Sequence, residues 1–442
     1  MNKTRMLSKL MLTVLSMSTL SLFSFSGWAD EYSPTANCTA DASWFEGKFN
    51  PKIAADNFDD STICDFHQFS WRSFIWLTEQ ADEGKLRFET FYSDTGIYPD
   101  SQPGNHLLGG VNQAGSNGIL IDQHGRALYT SMMINDIYRD FVIKHKLYTQ
   151  SGMQQADNNL NFPNGAMSLK AAWKIVQPGE DTSGLYTTKA PIQLLTVDNG
   201  QVVIPENAQQ EMTQVALVGF HIAVYVNKHP EAIWATFEFK DNAPTFTKGQ
   251  SPNKIVSDKD YLFYKANTLA KDCNTNNAGM NAILKLDTKT QTMAAVTQTC
   301  LQYAQGTVDN LPNPNKAKEN VQAIISLNDN VHQLMPKDSI WRNYLEIGAV
   351  WFSKEDHLTP DWSPNMDPDA ETNLLIGSTR LSNSTIETFT QNQRSANECF
   401  SCHNTTAVTD TPEKTAPLAG KNINTSHILL KNYLNGHSVK RN

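Results

Sequence analysis

Val215-Ala216-Leu217-Val218-Gly219-Phe220-His221-Ile222-Ala223-Val224-Tyr225 and, after a short polar break, Ile233-Trp234-Ala235-Thr236-Phe237-Glu238-Phe239 are two apolar runs rich in β-branched and aromatic residues. Runs of this length on either side of a break read as neighbouring antiparallel strands. Alternation along the second places Trp234, Thr236 and Glu238 on one face. The first holds a histidine at its centre, and His221 reads either as a hydrogen-bonded core residue or as a group facing a site.

The surrounding sequence extends the same pattern. Ser168 to Val176, Ile192 to Val197 and Gln201 to Ile204 are further strand-like runs, and Gly118 to Thr130 reads as a hairpin turning at Gln123-His124-Gly125-Arg126. Ser339 to Phe352 predicts another strand. Helical spacing of Phe66, Phe69 and Phe74 predicts a buried helix over Cys64 to Thr78, and helices are also expected over Met132 to Ser151 and Glu319 to Asn328. The expected fold class is therefore α+β: a large β-rich region of mostly antiparallel sheet over 30–370, followed by a small helical segment over 371–442.

Residues 1–29 read differently. Lys3, Arg5 and Lys9 precede an apolar and hydroxylic run from Leu10 to Phe25, and Gly27-Trp28-Ala29 is a small-x-small cleavage site before Asp30. That is the pattern of a secretory signal peptide, and it predicts a soluble periplasmic or otherwise exported chain with no membrane insertion after cleavage. The whole chain has a formal net charge of -9, and without the three basic leader residues it is -12. Such a surface argues against nucleic acid as a partner. In an oxidising compartment, sequence proximity favours disulfides Cys38–Cys64 and Cys273–Cys300.

The two remaining cysteines lie in Cys399-Phe400-Ser401-Cys402-His403. C-x-x-C-H is the attachment motif of a c-type haem: each thiol adds to one vinyl group and the histidine ligates iron. On a helix, positions i, i+3 and i+4 share a face and so reach one macrocycle together. Ser384-Thr385-Ile386-Glu387 matches a capping box, which predicts a helix running from there to Cys402. A zinc site would want a fourth Cys or His close by, and a redox dithiol would want a βαβ pattern; neither is present in the sequence around the motif. The motif thus predicts one covalently attached haem c held by Cys399 and Cys402, with His403 as proximal iron ligand. No methionine follows Cys402, so the sixth ligand is left among His221, Met366, Met335, His332, His427 and His437, or is missing.

These residues carry a resemblance. Phe69-Ser70-Trp71-Arg72-Ser73-Phe74, Lys170-Ala171-Ala172-Trp173, Gly219-Phe220-His221-Ile222, Trp234-Ala235-Thr236-Phe237-Glu238, Trp341-Arg342-Asn343-Tyr344 and Thr385-Ile386-Glu387-Thr388-Phe389, with the pentapeptide, follow in that order. The chain resembles a family of exported bacterial monohaem cytochrome-c-like proteins, in which a long β-rich region precedes one C-terminal C-x-x-C-H. The resemblance implies bound haem and no particular reaction. Such relatives often have a histidine after the Thr-Phe-Glu run, where this chain has Phe239.

The leading expectation is a periplasmic electron-transfer cytochrome serving an unidentified redox partner. A second is a haem enzyme with an open distal site, a peroxidase or small-molecule oxidase resembling the cytochrome P460 group, with His221, Glu238 or Arg342 in acid–base or charge-stabilising roles. A third is a gas-binding module. Two strong axial ligands would leave a carrier, whereas an empty position would admit a small molecule.

Overall fold

The computed structural model describes residues 38–81, 84–104, 107–116, 118–246, 250–275, 285–302, 314–365, 374–391 and 399–436. The predicted leader lies outside them. Asn37–Asn442 forms one compact unit.

Strands β1 (Tyr92–Ser93), β2 (Tyr129–Ile134), β3 (Met167–Ile175) and β4 (Thr187–Gln193) come first, followed by a small ribbon of β5 (Thr196–Asp198) and β6 (Gln201–Val203). The long hairpin is β7 (Gln210–Val226) and β8 (His229–Phe239). A second ribbon, β9 (Lys285–Asp287) and β10 (Thr292–Ala294), precedes β11 (Tyr344–Phe352) and β12 (Leu375–Gly377). The main sheet is antiparallel in the order β1-β2-β3-β7-β8-β11-β12, with β4 on the first part of β7. The helices are α1 (Pro51–Asp56), α2 (Ile63–Thr78), α3 (Asp136–Lys144), α4 (Gln150–Gln155), α5 (Pro314–Leu334) and α6 (His427–Asn435). The expected α+β class with a large antiparallel sheet is what forms.

Burial explains why β7 and β8 read as nearly unbroken apolar runs: both sheet faces are covered. On one face Phe220, Ile222, Ala235 and Phe237 pack on α2, whose Phe74 stacks on Phe237 at 4.3 Å between ring centroids. On the other, Ala223, Trp234 and Val350 meet Phe400, Ile423 and Leu429 from the C-terminal segment. Burying each of these large side chains contributes roughly 1.5–3 kcal/mol.

Helix α2 matches its predicted span, started by Asp65, whose carboxylate accepts the Thr62 backbone N–H at 2.7 Å. Both expected disulfides, Cys38–Cys64 and Cys273–Cys300, are formed. Among the described residues no helix is long and apolar enough to cross a membrane.

Three expectations need correction. The helix predicted over Met132 to Ser151 is interrupted: β2 continues to Ile134, α3 starts only after Asn135 caps it through Tyr138 N–H at 3.0 Å, and α4 starts anew after Thr149. The helix at Glu319 to Asn328 extends over all of α5, and the strand predicted from Ser339 begins at Tyr344 after one 3-10 turn. The long helix predicted into the haem motif does not form where it is described: Ser384 to Gln391 is a run of turns, and Cys399–Ser401 is a single 3-10 turn. Its capping groups are engaged elsewhere. The Ser384 hydroxyl donates to the buried Glu238 carboxylate, and Asn383, not Ser384, gives its N–H to Glu387 at 2.9 Å. In the described part of 371–442, α6 is the only α-helix, nine residues long.

These turns press closely on the sheet at Gly219, where a Cβ would collide with Thr385 Oγ1 and lie 2.8 Å from Asn383 Oδ1. Gly348 admits Ser378 in the same way. We expect Gly219→Ala to lower unfolding stability by about 1–3 kcal/mol, as overpacking does; an unchanged urea midpoint would mean that the loop can retreat without loss.

Candidate functional site

The sheet face that meets the C-terminal segment also lines a cavity. Register places Met132 of β2 opposite Lys170 of β3, Lys170 opposite His221 of β7, and Ala223 opposite Trp234 of β8. These five residues line one wall. Leu381, Glu387 and Thr390 of the turn segment line another, and Cys399, Cys402, His403 and His427 complete it. The cavity has a volume of about 210 Å³ and opens to solvent on one side.

The pentapeptide forms one tight turn. Cys402 N–H and His403 N–H both donate to the Cys399 carbonyl, at 3.2 and 2.9 Å. Cys399, Cys402 and His403 thereby share the cavity, while Phe400 points away from it and is fully buried against Phe352 and Trp362. Cys399 is half-buried and Cys402 exposed.

His403 is held in a defined state. Its Nδ1 donates to the Thr425 carbonyl at 2.8 Å, which leaves Nε2 with the lone pair a metal takes. Trp234 packs on the ring at 4.2 Å. Burial, with His427 beside it, holds its pKa well below the ordinary histidine value, so the ring is neutral. His427 lies flat against it at 3.8 Å and donates from Nε2 to the Cys402 carbonyl at 3.0 Å.

His221 does lie in the cavity wall, its Nε2 3.0 Å from Glu387 Oε1 and 3.2 Å from Oε2. Burial pushes the Glu387 pKa up, but His221, Lys170 and the Asn383 N–H outweigh it and the net shift is down. The other sequence candidates are elsewhere. Glu238 is buried beneath the turn segment, bonded by Ser384 and by Asn242 Nδ2 at 3.2 Å, and burial raises its pKa to about 7. Arg342 donates to the Met335 carbonyl at 3.1 Å, and His332 donates to the Tyr344 carbonyl at 2.8 Å. Glu238, Arg342, His332 and Met335 do not line the cavity. Met366 and His437 lie outside the described residues.

Sequence reasoning missed Lys170 and Glu387 as site residues. The signal for Lys170 was available: a lysine inside the apolar run of β3 is costly to bury unless it serves something. Glu387 gave no such signal, because a capping role accounted for it. Among the described residues no three His, Cys, Asp or Glu side chains cluster to hold a bare metal ion. No protein-family model, curated protein or solved structure matches the chain.

Proposed function

We propose that this chain is an exported monohaem c-type cytochrome that holds one haem c through Cys399 and Cys402, with His403 as axial ligand, and transfers electrons through it. What supports the reading above all is the meeting of both motif thiols and a neutral His403, oriented by the Thr425 carbonyl, in one cavity. The attached group would supply a one-electron iron centre. The Phe400 anchor fixes the motif against the sheet, and Trp234 packs beside His403, giving it apolar surroundings that disfavour the more highly charged oxidised state. Exposure of Cys402 leaves the motif side open to a redox partner.

A second reading, a haem enzyme with an open distal site, has its own support: the sheet wall carries His221 held by Glu387, an acid–base pair a pure carrier does not require. Two measurements test the proposal. Protein exported by cells with an intact maturation system should exceed its polypeptide mass by one haem and stain for haem after denaturing electrophoresis; apoprotein mass would sink it. Ferrous spectra with and without carbon monoxide separate the readings, since an unchanged Soret band means a six-coordinate carrier and a shifted one an open iron. In either case His221→Ala should keep its covalent haem, because the thioether bonds would be made by Cys399 and Cys402 and do not involve His221; loss of the haem in a folded variant would give β7 a role in attachment.

A further inference from the structure

We infer that the sheet wall of this cavity, at Lys170 and His221, receives a small monoanion of the nitrite or azide class. This rests on the open-site form of the cytochrome reading and names the ligand class for it. Strand β3 carries two lysines in unlike surroundings. Lys174 of β3 is buried and fully matched, with Glu180 Oε1 at 2.6 Å and Asp122 Oδ2 at 3.3 Å. Lys170, four residues earlier, lines the cavity, and its ammonium has no hydrogen bond or ion pair among the described residues.

Glu387 is the one carboxylate lining the cavity among the described residues, and its oxygens are taken by His221 and the Asn383 N–H. Lys170 feels its charge without bonding it. The other titratable groups lining the cavity are His403 and His427, whose rings are engaged with the Thr425 and Cys402 carbonyls, and the thiols of Cys399 and Cys402, which the proposed haem would take. A half-buried ammonium left in such a place lacks the negative partner that burial demands. His221 stands directly across the strand pair, within reach of the same ligand, and its Nδ1 has no hydrogen-bond partner among the described residues. A cation with an adjacent imidazole in an open-mouthed cavity suits a small anion with nitrogen or oxygen donor atoms.

The test uses the full-length haem-loaded protein in its ferric form. Sodium azide and sodium nitrite are titrated separately while the Soret band is followed, with imidazole as a neutral ligand for comparison. Wild type should show a saturable shift with each anion. Lys170→Met should weaken both by about tenfold or more, while imidazole affinity changes by less than about twofold, because only the anions lose a charge partner. Lys170→Arg, which keeps the charge, should stay within about threefold of wild type. A haem-loaded wild type that gives no anion-dependent shift overturns this inference alone. So does a folded Lys170→Met variant with unchanged anion affinity; a shift in its midpoint potential would then assign Lys170 to a haem propionate. A protein without covalent haem overturns the cytochrome reading itself.

Discussion

Cys399→Ala combined with Cys402→Ala should abolish covalent haem, taking the haem-loaded fraction from nearly all of the exported protein to none. The two thiols are the only cysteines outside the disulfides and both line the cavity, so nothing else in the chain can make a thioether to a vinyl group. The effect should be confined to attachment. Cys399 is half-buried and Cys402 exposed, and truncating such side chains removes little core contact. Circular dichroism of the double variant should therefore match that of untreated apoprotein, and each single variant should retain some haem through the remaining bond. Phe400→Ala is the contrasting case: Phe400 is fully buried among Trp234, Phe352 and Trp362, and its loss should cost about 3–5 kcal/mol of stability. Mass spectrometry after acid extraction of loose haem checks the first result. Covalent haem surviving in the double variant would remove the chemical basis of the proposed function.

What could be read in the sequence is what depends on local spacing. The pentapeptide stands out because the haem attachment proposed for it needs two thiols and an imidazole at one fixed spacing, whatever surrounds them. Helix α2 and strands β3, β7 and β8 are legible because a continuous apolar run must be buried, and period decides how. The sheet wall of the site is not local in this sense. His221 and Glu387 are 166 residues apart, and they meet because β7 carries one while a loop pressed on Gly219 carries the other. The failed helix has the same cause. Ser384 to Glu387 carries a true capping signature, yet a buried Glu238 and a cavity-facing His221 offer those side chains stronger partners than a helix terminus would. Local propensity lost to tertiary hydrogen bonds at the place where the sheet and the C-terminal segment come together.

A second large effect belongs to the opposite sheet face. His67 of α2 donates from Nδ1 to Glu346 Oε1 of β11 at 2.7 Å, and its Nε2 lies 2.9 Å from Asn320 Oδ1 of α5. Both His67 and Glu346 side chains are completely buried. An acceptor on each ring nitrogen means the ring carries both protons, so a charged pair ties two helices to the sheet. Glu346→Ala leaves that imidazolium buried without its counter-charge and should cost about 3–5 kcal/mol. His67→Leu combined with Glu346→Leu removes both charges and should return most of the loss, with a cost remaining at Asn320. The pair also fixes a pH dependence. Burial alone would pull the His67 pKa down, but Glu346 and Asn320 outweigh it and the net shift is up; burial raises that of Glu346 as well, against the opposing charge of His67. A raised folded-state pKa means tighter proton binding in the native state. The His67 contribution is thus fully present below its ordinary value of 6.5 and is lost as pH rises through the raised value. Glu346 acts in the same direction, starting from its ordinary 4.5. Wild type should therefore lose stability relative to the double leucine variant as pH rises above neutrality. Urea midpoints for both proteins across that range measure it, and a difference that stayed constant or grew would mean the ring does not carry the second proton.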